Sequence, residues 1–211
     1  MPVPRFAVYL FDIDGTLVDS APDICGAMRE VLASTKAPQL SDEYLRGFIG
    51  YHLRDLFIDL FPDITPDEME GLIVNYRRCY PLREHNSTTL YPGVAEVLSR
   101  LPGRKSTATT KSTETARIIL TKFGLLPYFD HVQGTDGFPA KPEPDVILRS
   151  IEVFGVKPED CLLVGDAAPD MEAGRRAGVA TCAVTYGYGN HEAMRRHQPD
   201  YWISNLTELA G

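Results

Sequence analysis

The sequence is poor in cysteine, and its cysteines are not spaced to bind zinc. Its 211 residues include four cysteines, and none of them stands in a CxxC pair. Structural zinc sites commonly use such close pairs, so this spacing argues against one. Cysteines scattered singly are typical of buried thiols in a reducing compartment, and we expect that role for Cys25, Cys79, Cys161 and Cys182.

Long hydrophobic runs are also missing. No run reaches the roughly 18 apolar residues that a membrane-spanning helix requires. The apolar residues 6–10 form a short run that leads straight into aspartates, which is unlike the hydrophobic region of a signal peptide. We therefore expect a cytoplasmic protein that has no membrane partner.

Positive charge is the third deficit. The chain has 21 Lys and Arg residues against 29 Asp and Glu residues, which gives a net charge of −8. Such an excess of negative charge argues against non-specific binding to nucleic acid. An anionic substrate would therefore need a local positive charge or a metal ion in its site.

What is present is the composition of a folded globular protein. Hydrophobic residues make up 44% of the chain and charged residues 24%, which are ordinary values. The length is slightly long for one domain and short for two, which favours one domain that carries a sizeable insertion.

Residues 19–88 carry the pattern of that insertion, with helical periodicity and no strand pattern. Three apolar stripes predict three amphipathic helices. The stripes are Ile24, Met28, Val31 and Leu32; Leu53, Leu56, Phe57, Leu60 and Phe61; and Met69, Leu72, Ile73, Tyr76 and Tyr80. The third helix opens with a capping box from Thr65 to Glu68. We assign these stripes to a small helical core and not to a cofactor site.

Strands and helices alternate in the rest of the chain. Besides residues 6–10, strands are predicted at residues 106–110, 131–133, 161–165, 180–185 and 201–204. Repeated strand–helix units predict an α/β fold with a doubly wound, mostly parallel sheet. In such sheets, ligands bind at the carboxyl ends of the strands.

Two aspartates, Asp12 and Asp14, follow the first predicted strand. Residues i and i+2 of an extended chain point to the same side, which forces the two carboxylates together. Ionised carboxylates repel each other without a cation, and Mg²⁺ prefers oxygen ligands. Gly15 permits a sharp turn, and Thr16 adds a hydroxyl. On its own, this stretch could equally be an acidic turn or part of a calcium loop.

Other polar residues stand where predicted strands end and helices begin. Thr109 and Asp166 lie at the ends of two predicted strands, and Lys141 and Asp170 stand near helix starts. Taken singly, Thr109 is an ordinary strand residue, Lys141 a solvated cation, and the aspartates are helix caps. Their combination at one edge of a sheet indicates a functional site.

In chain order, these residues resemble the four motifs of the haloacid dehalogenase superfamily. The matching segments are Asp12-Ile13-Asp14-Gly15-Thr16, Thr109, Lys141, and Gly165-Asp166 with Asp170. The helical insertion resembles the C1-type cap of that superfamily. Within it, Leu17-Val18-Asp19-Ser20 and Lys141-Pro142-Glu143-Pro144 are similar to segments of phosphoglycolate-phosphatase-like hydrolases. The resemblance covers essentially the whole chain and implies a Rossmann-like core of residues 1–18 plus 89–211 with a cap of residues 19–88.

The resemblance implies a Mg²⁺-dependent phosphatase that acts on a small phosphorylated metabolite. Asp12 would be the nucleophile and would form an aspartyl-phosphate. Asp14 would be the general acid and then the general base. Thr109 would bind the phosphoryl oxygens, and Lys141 would supply a compact positive charge against them.

The resemblance also implies a set of metal ligands. Mg²⁺ would be held by a carboxylate oxygen of Asp12, the backbone carbonyl of Asp14 and a carboxylate oxygen of Asp166. Asp170 would contact the ion directly or through a water molecule. The site would neutralise the phosphoryl oxygens during transfer.

Substrate-side contacts are implied at Thr16, Thr110 and Lys111 in the core and at His52 and Arg54 in the cap. Arg54 could bind a carboxylate or a second phosphate of the substrate, or lie on a solvated helix face. Relatives commonly carry Thr-Asn-Lys at the second motif and Gly-Pro-Pro-Leu in the cap. This chain has Thr109-Thr110-Lys111 and Gly50-Tyr51-His52-Leu53 at those places. No relative's substrate preference is therefore carried over.

Several other functions stay open. A phosphomutase of the same fold, similar to β-phosphoglucomutase, needs the same two aspartates, and a pyrophosphatase or nucleotidase would use the same core motifs. A catalytically silent metal- or phosphate-binding protein is disfavoured because every motif residue is present. The oligomeric state is equally open between a monomer and a homodimer.

Overall fold

The computed structural model describes residues 2–210. Its strands are β1 (Val8–Phe11), β2 (Val18–Asp19), β3 (Thr89–Leu90), β4 (Arg104–Thr107), β5 (Cys161–Gly165), β6 (Ala180–Val184) and β7 (Tyr201–Ile203). Five of them form a sheet in the order β4-β1-β5-β6-β7. Every neighbouring pair in this sheet is parallel, which confirms the predicted α/β fold with a mostly parallel sheet.

Helices cover both faces of this sheet. The helices are α1 (Ala21–Leu32), α2 (Asp42–Arg46), α3 (Leu53–Leu60), α4 (Pro66–Leu82), α5 (Val94–Arg100), α6 (Thr113–Lys122), α7 (Asp145–Phe154), α8 (Ala168–Ala177) and α9 (His191–Arg196). Tyr9 and Phe11 of β1 pack with α5 and α6, whereas Val8 and Leu10 pack with α7 and α8. Because both faces are buried, β1 reads as a continuous apolar run without alternation.

The segment between β2 and β3 is helical and has a hydrophobic cluster of its own. It contains α1 to α4, whereas the sequence predicted three helices. The missed helix is α2, which Ser41 caps by accepting a hydrogen bond from the Tyr44 backbone N–H at 3.1 Å. It has five residues, of which Leu45 is buried, and so short a helix shows no apolar stripe.

Two short strands mark where the chain enters and leaves the helical segment. β2 and β3 form an antiparallel pair. The buried Asp23 of α1 connects the same two ends of the helical segment, because it accepts hydrogen bonds from the Ser87 N–H at 2.9 Å and the Thr88 hydroxyl at 2.7 Å. The predicted boundaries, after residues 18 and 88, fall at these two ends and stay a prediction.

Two predicted strands differ from the observed ones. β4 begins and ends earlier than the predicted strand 106–110, so Thr109 follows the strand. The predicted strand 131–133 is reduced to an isolated bridge. There the Thr107 hydroxyl accepts a hydrogen bond from the Gln133 N–H at 2.8 Å and donates one to its carbonyl at 2.9 Å. A side chain thus takes the backbone partners that a regular ladder would use.

The four cysteines have the burial that the sequence predicts. All four cysteines are buried free thiols. Burial raises the pKa of Cys161 to about 11 and that of Cys182 to about 12, so both thiols are protonated at neutral pH.

Among residues 2–210, no helix combines the length and the apolarity that crossing a membrane requires.

The strand order brings three chain segments to one edge of the sheet. β1 lies between β4 and β5, so the strand order reverses at β1, which is where such sheets bind ligands. Asp12, Thr109 and Asp166 follow the carboxyl ends of these three strands. The fold therefore collects the predicted polar residues at one place.

Candidate active site

Three carboxylates converge at this edge. Asp12 follows β1, Asp166 follows β5, and Asp170 lies in the first turn of α8. One oxygen of each lies within 4.8 Å of the others, and the side chains are buried to within 2% of complete burial. We call this group the carboxylate cluster. Asp14, the fourth predicted metal ligand, is expected to offer its backbone carbonyl, and its carboxylate has other partners.

Lys141 brings a positive charge to the carboxylate cluster. Its Nζ lies 2.9 Å from Asp12 Oδ1 and also donates to Asp170 Oδ1. Lysine is rarely buried unless it is paired, and Lys141 is 2% exposed. Burial alone would lower the pKa of Lys141, but the charges of Asp12 and Asp170 outweigh burial and raise the pKa above its ordinary value. The ammonium therefore stays charged.

One ammonium does not balance three carboxylates. Burial, together with the charges of Asp170 and Asp14, raises the pKa of Asp12 to about 7 although Lys141 opposes the shift. Burial and the charges of Asp170 and Asp12 also raise the pKa of Asp166 well above its ordinary value. Buried oxygen donors with an excess of negative charge suit a hard divalent cation. The residues present therefore fit such an ion.

The Asp14 carboxylate is held by different partners. The Ser20 hydroxyl donates to its Oδ1, and Lys111 Nζ lies 3.1 Å from its Oδ2. Asp14 is 6% exposed and follows Asp12 by two residues. A carboxylate that is fixed beside the cluster, with its oxygens directed to a hydroxyl and an ammonium, is suited to proton exchange with a substrate.

Lys111 lies between the sheet and the helical segment. Besides its contact with Asp14, its Nζ donates to the Tyr80 hydroxyl of α4 at 2.7 Å. The resemblance implies a substrate contact for Lys111, and the structure gives its ammonium two partners in the protein. This side chain therefore connects Asp14 to the helical segment.

The three predicted threonines have different surroundings. Thr16 is fully buried and donates from Oγ1 to Asp166 Oδ1 at 3.3 Å. Thr109 is also fully buried, and its Oγ1 accepts a hydrogen bond from the Lys111 N–H at 3.3 Å. Thr110 is half-buried beside it. Thr16 thus orients a carboxylate of the cluster, whereas Thr109 and Thr110 follow the carboxyl end of β4.

Glycines permit the chain to pack closely around Asp166. At Gly15, where φ is +80°, an added Cβ would lie 2.1 Å from Asp166 Oδ2. At Gly187 an added Cβ would lie 2.4 Å from the same oxygen. Any larger residue would therefore occupy the space of the carboxylate.

The two predicted cap residues have partners within the helical segment. His52 caps α3, because its Nδ1 accepts a hydrogen bond from the Arg54 N–H at 3.2 Å and its own N–H donates to Asp55 at 3.1 Å. The Arg54 guanidinium lies 3.7 Å from Glu70, and 49% of the side chain is exposed. The contacts of both side chains within residues 2–210 are thus made to the helical segment and not to the carboxylate cluster.

The loop that carries these residues nevertheless approaches the cluster. An added Cβ at Gly50 would lie 2.8 Å from that of Ala167, in the loop after β5. Burial raises the pKa of Tyr51, and the negative charges of Asp55 and Asp170 raise it further. The approach of Gly50 to Ala167 places this loop beside the loop that follows β5.

Sequence reasoning missed two tyrosines after β6. The Tyr188 N–H donates to Asp166 Oδ2 at 2.8 Å, and the Tyr186 hydroxyl donates to the Thr16 carbonyl at 2.8 Å. The alternation of tyrosine and glycine over residues 186–189, directly after a predicted strand, is the signal that could have identified them.

Known proteins match this chain over nearly its whole length. A family model described as haloacid dehalogenase-like hydrolase matches residues 9–184. Phosphoglycolate phosphatase 1 of Pseudomonas aeruginosa is 33% identical over 217 residues, which cover 98% of this chain and 79% of that protein. The phosphoglycolate phosphatase of Vibrio parahaemolyticus is 33% identical over 210 residues, which cover 94% of this chain and 92% of that protein. The solved structure of a haloacid dehalogenase-like family hydrolase from Streptococcus pneumoniae has a TM-score of 0.88 at 27% identity, over 97% of this chain and 96% of that one.

Proposed function

The chain belongs to the haloacid dehalogenase-like hydrolase family, and we propose that it is a Mg²⁺-dependent phosphatase. Its substrate would be a small phosphomonoester of the phosphoglycolate type, hydrolysed through an aspartyl-phosphate on Asp12. The observation that carries the proposal is the buried carboxylate cluster, in which Lys141 Nζ lies 2.9 Å from Asp12 Oδ1. The names of the relatives support the substrate class.

In the first step, a carboxylate oxygen of Asp12 attacks phosphorus in line with the ester oxygen. A P–O bond to Asp12 forms, the bond to the ester oxygen breaks, and Asp14 gives its proton to the leaving oxygen. Lys141 holds Asp12 in place, and its charge opposes that of the phosphoryl oxygens. Thr109, just past the end of β4, binds one of those oxygens.

In the second step, Asp14 acts as a base. It takes a proton from a water molecule, whose oxygen attacks the phosphorus of the aspartyl-phosphate. The bond between phosphorus and Asp12 breaks, so inorganic phosphate leaves and Asp12 is again a carboxylate. Asp14 is protonated again, and each cycle consumes one water molecule.

Mg²⁺ would be held by the carboxylates of Asp12, Asp166 and Asp170 and by the backbone carbonyl of Asp14. When bound, the ion supplies positive charge that neutralises the phosphoryl oxygens. The backbone N–H of Tyr188, which donates to Asp166 Oδ2 at 2.8 Å, orients one of these ligands. Such outer contacts fix a ligand in place before an ion binds.

The helical segment acts as a cap of residues 19–88 that covers the site. The core motifs contact only the transferring phosphoryl group, so discrimination between substrates must come from elsewhere. The approach of Gly50 to Ala167 and the contact between Lys111 and Tyr80 support a cap that closes over the carboxylate cluster. The protein would work in the cytoplasm as a monomer or a homodimer.

Phosphate release from a panel of small phosphomonoesters, with phosphoglycolate among them, tests the proposal. We expect release with Mg²⁺, none with EDTA, and recovery when Mg²⁺ is added back. Ca²⁺ should restore activity poorly, because its looser and higher coordination disturbs the in-line geometry. Full activity in EDTA would refute the metal requirement. Isomerisation of a sugar phosphate without phosphate release would identify a mutase instead.

Beryllofluoride tests the covalent intermediate. It mimics an aspartyl-phosphate, so it should inhibit the enzyme and bind in the presence of Mg²⁺. Asp12→Asn should bind no beryllofluoride, because its carboxamide lacks the anionic oxygen that bonds to beryllium. Equal binding by the two proteins would show that Asp12 is not the residue that carries the phosphoryl group.

A further inference from the structure

Residues 186–189 contact two parts of the molecule that the proposed mechanism treats separately. On one side, the Tyr188 N–H donates to Asp166 Oδ2 at 2.8 Å. Glycines on either side of Tyr188 allow this approach, because an added Cβ at Gly187 would lie 2.4 Å from Asp166 Oδ2 and one at Gly189 would lie 1.8 Å from its carbonyl oxygen. The backbone at Tyr188 is therefore set by its packing on Asp166.

On the other side, the Tyr188 side chain reaches the start of the helical segment. Its hydroxyl donates to Asp19 Oδ1 at 2.7 Å and accepts a hydrogen bond from the Ala21 N–H at 3.0 Å. Its ring packs against the hydrophobic cluster of the helical segment. Burial, the nearby Tyr91 and the hydrogen bond to Asp19 all raise the pKa of Tyr188 above its ordinary value, which keeps the hydroxyl able to donate.

The Ala21 amide gives this contact a direct reporter. Ala21 begins α1, so its N–H has no acceptor within the helix. The residue is fully buried, and besides the Tyr188 hydroxyl its N–H makes a longer contact of 3.4 Å with Asp19 Oδ1. We therefore expect the exchange rate of this amide to report on its hydrogen bond to the Tyr188 hydroxyl.

We propose that Tyr188 is a positioning residue that couples Asp166 to the entry of the helical segment, so that a cation in the carboxylate cluster also stabilises the placement of α1. Without a cation, repulsion from Asp12 and Asp170 acts on Asp166 and, through the N–H, on Tyr188. A bound cation removes the repulsion and fixes the acceptor of that N–H. This coupling rests on the cation site of the proposed function. The hydrogen bond from the Ala21 N–H to the Tyr188 hydroxyl, which we call the tie, does not.

Tyr188→Phe isolates the tie, because it removes the hydroxyl and keeps both the ring and the backbone N–H. In metal-free buffer, hydrogen exchange of the Ala21 amide, followed by NMR, should become about tenfold faster. Tyr44→Phe is the matched control, since the Tyr44 hydroxyl donates to Asp59 inside the helical segment. It should leave the Ala21 rate unchanged. An unchanged rate in Tyr188→Phe, or an equal change in the control, would overturn the tie.

Mg²⁺ tests the coupling. In the wild-type protein, saturating Mg²⁺ should slow exchange at Ala21 by about fivefold, and in Tyr188→Phe it should have no effect on this amide. Because such coupling is reciprocal, calorimetry should show that Mg²⁺ binds Tyr188→Phe about fivefold more weakly than it binds the wild type, whereas Tyr44→Phe should keep the wild-type Kd. Equal slowing in the wild type and Tyr188→Phe, or an unchanged Kd in Tyr188→Phe, would overturn the coupling. Absence of Mg²⁺ binding by the wild type would overturn the cation site and the coupling with it, while the metal-free comparison would still decide the tie.

Discussion

The carboxylate cluster and residues 47–54 are held in opposite ways. These residues form the loop before α3 and the start of that helix, and we call them the cap loop. The aspartates of the cluster are almost completely buried, and Lys141 contacts two of them. In the cap loop, the Arg54 side chain is 49% exposed and has Glu70 at 3.7 Å as its ion-pair partner. One region is fixed by buried charge, and the other displays its charge to solvent.

On the proposed function, this difference would separate the chemistry of the buried cluster from substrate selection by the cap loop. Buried charges keep one arrangement, because any other arrangement leaves a charge without a partner. An exposed ion pair contributes little and is easily broken, so Arg54 can leave Glu70 for a ligand. On the proposed function, the cap loop would therefore change its substrate contacts without disturbing the cluster.

The largest effect is expected from Asp12→Asn in the carboxylate cluster. Turnover should fall by about 10⁴-fold or more, because an amide cannot serve as this nucleophile. The fold should be kept, as circular dichroism would verify, since the two side chains have nearly the same shape. Asp63→Asn, an exposed aspartate of the helical segment, is the control and should keep wild-type turnover. Normal phosphate release by Asp12→Asn would remove Asp12 from the chemistry.

Lys141→Met tests whether buried charge fixes the cluster. It leaves Asp12 and Asp170 without their partner, and the free energy of unfolding in metal-free buffer should fall by about 3–5 kcal/mol. Lys157→Met is the exposed counterpart, because Lys157 lies 3.8 Å from Glu159 with 77% of its side chain exposed. It should change stability by less than about 0.5 kcal/mol in urea unfolding. Equal losses in the two variants would show that the buried lysine fixes the cluster no more than an exposed ion pair does.

Arg54→Ala probes the cap loop. The KM of a substrate that carries a second anion should rise about tenfold, since a charged hydrogen bond contributes about 1.5–3 kcal/mol. An aryl phosphate without the second anion should be affected much less. Glu70→Ala breaks the same ion pair but keeps the guanidinium, so it should leave KM unchanged or lower. Similar rises in KM for both variants would assign Arg54 to the surface of the cap alone.

The smallest effect concerns His85, which lies between α4 and β3 where the chain leaves the helical segment. His85 is 4% exposed, and burial, with the charge of Lys111, lowers its pKa below 6.5. The unfolded chain therefore binds the proton at a higher pH than the folded chain does, so folding stability should fall as the pH drops below about 6.5.

His85→Asn is the matched variant, because His85 has φ of 53° and asparagine tolerates that conformation. Between pH 7 and pH 5.5, the wild type should lose more stability than the variant. Urea unfolding at several pH values measures this difference. Parallel pH profiles would mean that His85 does not titrate in this range.

How much followed from the sequence differs between the two regions for the same physical reason. Buried chemistry needs particular residue types at strand ends and helix starts, so Asp12, Lys141 and Asp166 could be located from motifs and spacing. The structure brings these three together as expected. The cap loop carries no such requirement. The substrate contacts of His52 and Arg54 stay a prediction, and in the structure both residues have partners inside the helical segment.

Other features lay beyond any local pattern. The contact between Tyr188 and Asp19 joins residues 169 positions apart, and nothing in either segment indicates the other. Helix α2 and the strands β2 and β3 are too short to show periodicity. The polar strand β4 was predicted, but its ends were not. Its last residue, Thr107, exchanges hydrogen bonds with Gln133, 26 positions along the chain, and local sequence does not indicate this contact.

The antiparallel pair of β2 and β3 bears on the order in which the chain folds. Because the helical segment lies between them in sequence, β1 can pair with β4 only after a very long loop has closed, which is entropically unfavourable and slow. Contacts within α1 to α4 are local, and their formation brings β2 to β3 and shortens the remaining loop. We therefore expect the amides of α1 to gain protection before those of β4 in pulse-labelled refolding. Earlier protection of β4 would mean that the sheet assembles around an unfolded insertion.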